Sequence, residues 1–194
     1  MQILRLFIAL TFSPEDLQRI IKVRDDLRQI FPTSGLRWVQ SSNIHLTMKF
    51  LGNVERTRLL ELNRSLHSAV ENISPCSAEL GRLGAYPSLT RPQAIYLGLK
   101  PDNNLNFLYV QLEKSLSEIG FPKEKRGFSP HVTLARISDS LAEKDRNTIS
   151  ILLKRIDVPV LSTPLFDTLY LVKSDLDRSG PTYTRLFSAS FHGQ

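Results

Sequence analysis

A histidine and a threonine two positions apart, set in an otherwise apolar strand-like run, occur twice in this chain. The first instance is "NIHLTMKF" (43–50), with His45 and Thr47; the second, 86 residues later, is "SPHVTLAR" (129–136), with His131 and Thr133. Side chains alternate between the two faces of a strand, so each His and Thr share a face while Leu46 and Val132 point the other way, into a core. By the same parity Lys49 joins the face of His45 and Thr47. Each motif is thus half-buried, its apolar face anchoring the strand. If the halves pack about a pseudo-twofold axis, the four polar groups line one shared cleft.

The rest of the chain supports two similar halves. "ILRLFIAL" (3–10) reads as a buried strand, and "SPED" after it opens a helix: Ser13 caps, Pro14 suits the first turn and Asp16 completes a capping-box variant. Leu17, Ile20, Ile21, Leu27 and Phe31 continue at helical spacing until Pro32–Gly35 breaks the pattern. "LRWV" and "IHLTMKFL" read as strands and 56–70 as a helix. Next come the strands "SAELGRLGAYP" and "AIYLGL", a helix over 105–120 stopped by Gly120, and "HVTLARI" as a strand. A helix over 140–156 is opened by a capping box from Ser140 to Glu143, and a closing hairpin turns at "DRSG". The predicted class is α+β, with antiparallel or mixed sheets, helices on the outer faces and residues 1–194 as one unit.

Composition narrows the function classes. Apolar residues make up 41% and charged residues 23%, values of a folded globular chain. No apolar run approaches the roughly 20 residues that span a bilayer, and the N-terminus lacks a basic leader, so the expected location is the cytoplasm, away from membranes. With Cys76 alone there is no internal disulfide and no thiolate cluster. The excess of 25 Lys and Arg over 19 Asp and Glu favours polyanionic partners.

Two imidazoles can hold opposite protonation states near neutral pH, one taking a proton from water while the other gives one to a leaving oxygen. Metal-free hydrolysis of a phosphodiester requires that pairing, and the threonine hydroxyls can hold the non-bridging oxygens. A metal centre fits less well, since each motif offers one good ligand and no nearby carboxylate. A serine-type triad lacks its Gly-x-Ser-x-Gly turn.

These motifs, with "HLTMKFLG" and "FSPHVTLAR" around them, "RLFIAL" at 5–10, Trp38 and the closing "LYLVKSDL…GPTYTRL", resemble the two-histidine (2H) phosphoesterases, and within them the bacterial RNA 2′,3′-cyclic phosphodiesterases also called 2′-5′ RNA ligases. Met48 stands where that pattern has leucine, a volume-conserving change on the core side. The resemblance implies a bilobed fold of two pseudo-symmetric lobes flanking a central cleft, with one motif from each lobe. It implies His45 as the general acid to the ribose O3′, His131 as the general base to water, and Thr47 and Thr133 as phosphate ligands. It implies no cofactor and no metal. The implied partner is RNA with a 2′,3′-cyclic phosphate end, tRNA fragments among them, and the chain is expected to act as a monomer.

Arg126 is a further candidate for substrate binding, ahead of Arg136. Phe128, Trp38, Phe50 and Tyr86 are expected in the core before they are expected to stack on a base. His67 and His192 receive no role. Three other functions use the same features: 2′-5′ ligation, cyclic nucleotide or ADP-ribose cyclic phosphodiester hydrolysis, and non-catalytic binding of RNA ends.

Overall fold

The first strand, β1 (Ile3–Leu10), is apolar on both faces. Leu4, Leu6, Ile8 and Leu10 enter the main core, while Phe7 and Ala9 join a smaller cluster with Val172. A strand buried on both sides belongs inside a sheet. In the computed structural model, which describes residues 2–31, 35–177 and 180–193, β1 lies between β3 (Leu46–Glu55) and β8 (Thr168–Asp177), with β9 (Gly180–Ser190) beyond β8.

The second sheet runs in the order β2 (Leu36–Trp38), β6 (His131–Ile137), β5 (Ala94–Pro101), β4 (Cys76–Tyr86) and β7 (Leu165–Phe166). Every pairing in both sheets is antiparallel among the described residues. The architecture is therefore α+β, with two antiparallel sheets and four helices among the described residues.

The helices are α1 (Pro14–Ile30), α2 (Leu59–Val70), α3 (Asn103–Glu118) and α4 (Glu143–Arg155). The order β1-α1-β3-α2 repeats as β5-α3-β6-α4, and in each unit the first strand pairs antiparallel with the motif strand. Helices α2 and α3 pack on each other, α2 against β8 and β9, and α3 against β4 and β5. Leu62 and Leu66 of α2 and Leu105, Leu108 and Leu112 of α3 meet Ile8, Leu171, Leu97 and Val132 in one core that runs through both sheets. The motif faces lie on the opposite side of each sheet from these helices.

Local signals account for the helix ends. The Ser13 hydroxyl oxygen accepts from the Asp16 amide at 3.1 Å, and Gly120 takes a φ of +87° after α3, a left-handed turn that favours glycine. The capping box predicted at Ser140 does not form. Helix α4 starts at Glu143 with Ala142 as its cap, and the Ser140 hydroxyl pairs with that of Ser138 at 2.7 Å.

Two larger departures concern topology. Chain order groups "LRWV" with the first half, yet β2 pairs with β6 of the second sheet. The C-terminal hairpin crosses back to the first sheet through β8. Of the predicted helix break, Pro32, Thr33 and Ser34 lie outside the described residues, as do Arg178 and Ser179 of the closing turn.

Candidate active site

Each motif histidine sits at the start of a strand and is held the same way. His45 Nδ1 lies 2.7 Å from the carbonyl oxygen of Asn43, and His131 Nδ1 lies 2.9 Å from that of Ser129. A carbonyl only accepts, so Nδ1 carries the proton in both rings and Nε2 is left for proton exchange. In the first motif Nε2 is 2.9 Å from the Thr47 hydroxyl, which donates to the neutral ring and accepts from the charged one.

The rings are buttressed by aromatic neighbours. His45 lies against Phe7 at 4.8 Å and Tyr183 at 5.3 Å between centroids, and His131 lies against Tyr96 at 5.0 Å. Tyr96 occupies this position because residue 84 has no side chain: a Cβ on Gly84 would fall 2.4 Å from the Tyr96 ring. Asn43, buried at the end of a short 3₁₀ turn, ties the first site together by donating from Nδ2 to the Pro181 carbonyl of the β9 segment at 2.7 Å. Neither Gly84 nor Asn43 carries a signal readable in the sequence, since both act through a partner on a distant strand.

The two motif strands contact each other across the sheets. Burial is the main cause that pushes the His45 pKa below the ordinary imidazole range, and the positive charges of Arg136 and His131 push the same way against the Asn43 hydrogen bond. Arg136 also acts on Tyr183 of the first sheet, so its charge reaches across to the other lobe. The unfolded imidazole binds its proton at higher pH than the folded one. The stability this site contributes is present above about pH 6.5 and is lost as pH falls through the folded value. We expect an NMR titration of the free protein to place the His45 midpoint below 6.5, and saturating inorganic phosphate to move it upward as an anion offsets the two cations. A midpoint at or above 6.5 without phosphate would contradict this geometry.

The same irregularity interrupts both motif strands just after the threonine. Against β1, Ala9 pairs with Thr47 but Ile8 pairs with Lys49; against β5, Tyr96 pairs with Thr133 but Ile95 pairs with Ala135. Met48 and Leu134 are therefore extra residues, a β-bulge at the same place in both motifs, and each reverses the alternation beyond it. Lys49 is consequently not on the histidine face, where strict parity places it. It is buried, with Nζ 2.7 Å from Glu113 Oε1 and 2.7 Å from the Pro122 carbonyl. The residues five beyond each histidine, Phe50 and Arg136, emerge on the His and Thr face instead, with Phe50 66% exposed and its ring 6.1 Å from that of Phe7. Arg136 thereby stands closer to the site than its sequence position suggests.

The remaining candidates divide. Phe128 stacks on Tyr109 and Trp38 packs against Phe31, both at the core's edge as expected. Phe50 and Tyr86 are exposed rather than core. Arg126 is exposed, and its Nη1 donates to the Tyr86 hydroxyl at 2.9 Å. Cys76 is buried, its thiol pushed up to about 12 mainly by burial, so it is no nucleophile at neutral pH. Beside His45 a cavity of about 270 Å³ is lined by Phe7, Thr11, Ser41, Ser42, Tyr183 and Arg185 among others.

Known proteins resemble this chain in sequence and fold. A family model described as LigT-like phosphoesterase matches residues 11–96. A relative from Aeropyrum pernix named RNA 2′,3′-cyclic phosphodiesterase is 31% identical over 170 residues, covering 87% of this chain and 93% of that one. A Methanocaldococcus jannaschii relative of the same name is 32% identical, covering 69% and 72%. Among solved structures, E. coli LigT complexed with 3′-AMP superposes with a TM-score of 0.75 at 25% identity, covering 98% of this chain and 99% of that one. With identity of this order running along nearly the whole of a relative, and a family match that brackets the first histidine motif, the chain belongs to the LigT-like phosphoesterases of the two-histidine family.

Proposed function

We propose that this chain, acting as one bilobed unit over residues 1–194, is an RNA 2′,3′-cyclic phosphodiesterase that opens terminal cyclic phosphates to 2′-phosphomonoesters. The observation that carries the reading is the matched tethering of two histidines through Nδ1, each leaving Nε2 for proton transfer. Relatives bearing the name RNA 2′,3′-cyclic phosphodiesterase support the substrate class. A monomer in the cytoplasm is the setting we expect; among the described residues no helix is long and apolar enough to cross a membrane.

In this mechanism His131 Nε2 takes a proton from water as the water oxygen bonds to phosphorus. The bond from phosphorus to O3′ breaks, and His45 Nε2 gives its proton to O3′, leaving the phosphate on O2′. Thr47 and Thr133 hold non-bridging oxygens, and Arg136 offsets their charge. The lowered pKa of His45 gives binding a role in catalysis. The free ring favours its neutral form, and the anionic phosphate, entering beside Arg136 and His131, raises its proton affinity when the acid is needed. The terminal nucleoside occupies the cavity beside His45, with Phe7 and Tyr183 as its aromatic walls.

Because imidazole fills both proton-transfer roles, turnover of an oligoribonucleotide with a cyclic phosphate end is expected to persist in excess EDTA, with a 2′-phosphate as the product. Loss of turnover with chelator and its restoration by a divalent ion would require a different mechanism. A 3′-phosphate product would reverse the choice of leaving oxygen.

A further inference from the structure

The bulge that turns Arg136 onto the motif face also brings it opposite a second arginine, Arg37. In the second sheet Tyr86 pairs with Ala94, Ala94 with Arg136, and Arg136 with Arg37, so four strands contribute one rank of side chains. Directly paired residues in adjacent strands share a face. The neighbours of Arg37 on β2, Leu36 and Trp38, pack against the core, which leaves Arg37 on the same exposed side as Arg136.

Like charges directly opposite each other destabilise a sheet. Among the described residues neither arginine has a carboxylate partner to relieve this pair, and both line a groove of about 410 Å³ with Gly35, Leu36, Ser138 and Asp139. The Asp139 carboxylate forms no ion pair with either guanidinium, so two cations face one anion there. Thr133 pairs with Tyr96 and Arg136 with Ala94, two residues on, so Arg136 lies about 7 Å along the strand from Thr133, and Arg37 is one strand farther at about 4.8 Å. The phosphate that His45, His131 and the threonines engage lies short of Arg37. An anion at Arg37 is a second one.

Resting on the function proposed above, we infer that Arg37, next to the Arg136 that serves the cyclic phosphate, holds the phosphodiester on the 5′ side of the terminal nucleotide, so that the rank beyond Thr133 is a subsite for the RNA strand. A cyclic phosphate closes the 3′ end, so the strand leaves the catalytic centre only through its 5′ oxygen, and its next charge is that phosphodiester. Ala94, small and next in the rank, leaves the surface open toward Tyr86, which is 48% exposed and presents its ring beside Arg126 at 5.8 Å. Arginines flanked by an exposed aromatic ring make a single-strand track, charge for the backbone and a face for a base.

The test is binding of a nucleoside 2′-monophosphate, a nucleoside 2′,5′-bisphosphate, and a dinucleotide and pentanucleotide ending in 2′-phosphate, to wild type, Arg37→Gln and Arg37→Lys. Arg37→Gln is expected to weaken the dinucleotide and pentanucleotide roughly tenfold, to leave the monophosphate unchanged, and to lower the salt slope for the oligonucleotides by about 0.7, one single-strand phosphate contact. Arg37→Lys should recover most of the salt slope. Equal weakening of the monophosphate, or no weakening of the dinucleotide, overturns the inference. So does an effect confined to the bisphosphate, which would make the site one for a free terminal phosphate. Absence of cyclic-phosphate hydrolysis by the wild type would instead defeat the proposed function, and these binding measurements would still decide the subsite.

Discussion

His45→Ala and His131→Ala are each expected to lower turnover of cyclic-phosphate RNA by roughly 10² or more, the scale of losing a positioned acid or base, while binding of the 2′-phosphate product survives. The two variants should separate when the leaving oxygen changes. A substrate whose 3′ oxygen is replaced by a much better leaving group needs little protonation, so it should restore His45→Ala and leave His131→Ala slow. Thr47→Ala and Thr133→Ala should show smaller defects that the leaving group does not repair. Rescue of His131→Ala in place of His45→Ala would reverse the acid and the base. The Asn43 and Ser129 carbonyls hold the two rings alike, so geometry around Nδ1 does not assign the roles. The difference lies in the environment, because His45 is the more enclosed ring and the one whose charge is opposed by burial.

The second large effect concerns the buried ion pair that the bulge creates. Lys49 and Glu113 side chains are each 8% exposed, and Glu113 Oε2 also accepts from the Glu124 amide at 2.7 Å. One carboxylate thus joins the first motif strand, α3 and the 121–130 segment that leads to His131. Lys49→Met removes one partner and strands a buried carboxylate, a loss of about 3–5 kcal/mol in urea unfolding. Glu113→Leu should cost a similar amount by stranding the ammonium. The double variant should recover most of the stability, since well-packed apolar replacements of a buried pair are often neutral. It should not recover full turnover, because the Glu124 amide and Pro122 carbonyl lose their partners and the approach to Ser129 and His131 loosens. A single-variant cost below about 1 kcal/mol would show that water reaches the pair and that it is no tether.

How much of this is legible in the sequence depends on the range of the interaction that decides each feature. The α1 cap at Ser13, the turn at Gly120 and the shared face of each His and Thr are set within a few residues, by hydrogen bonds to near neighbours and by the period of a strand. The duplicated motif and the strand and helix order around it are therefore readable, and with them the α+β class and the pair of histidines. Parity fails just beyond each threonine. A bulge is defined by two strands together, and nothing local to "LTMKF" or "VTLAR" says that β1 and β5 will each skip one residue. The slip in β3 buries Lys49 against a helix more than sixty positions away and turns Phe50 outward, and the slip in β6 turns Arg136 outward. Placement of β2 beside β6 is equally nonlocal, and it sets Arg37 against Arg136. The sequence by itself determined which chemistry the chain carries, because proton-transfer groups and strand period are properties of residues and their immediate order. Only the tertiary structure decided which charges share its surface, because pairing and register are chosen by the burial of whole sheets.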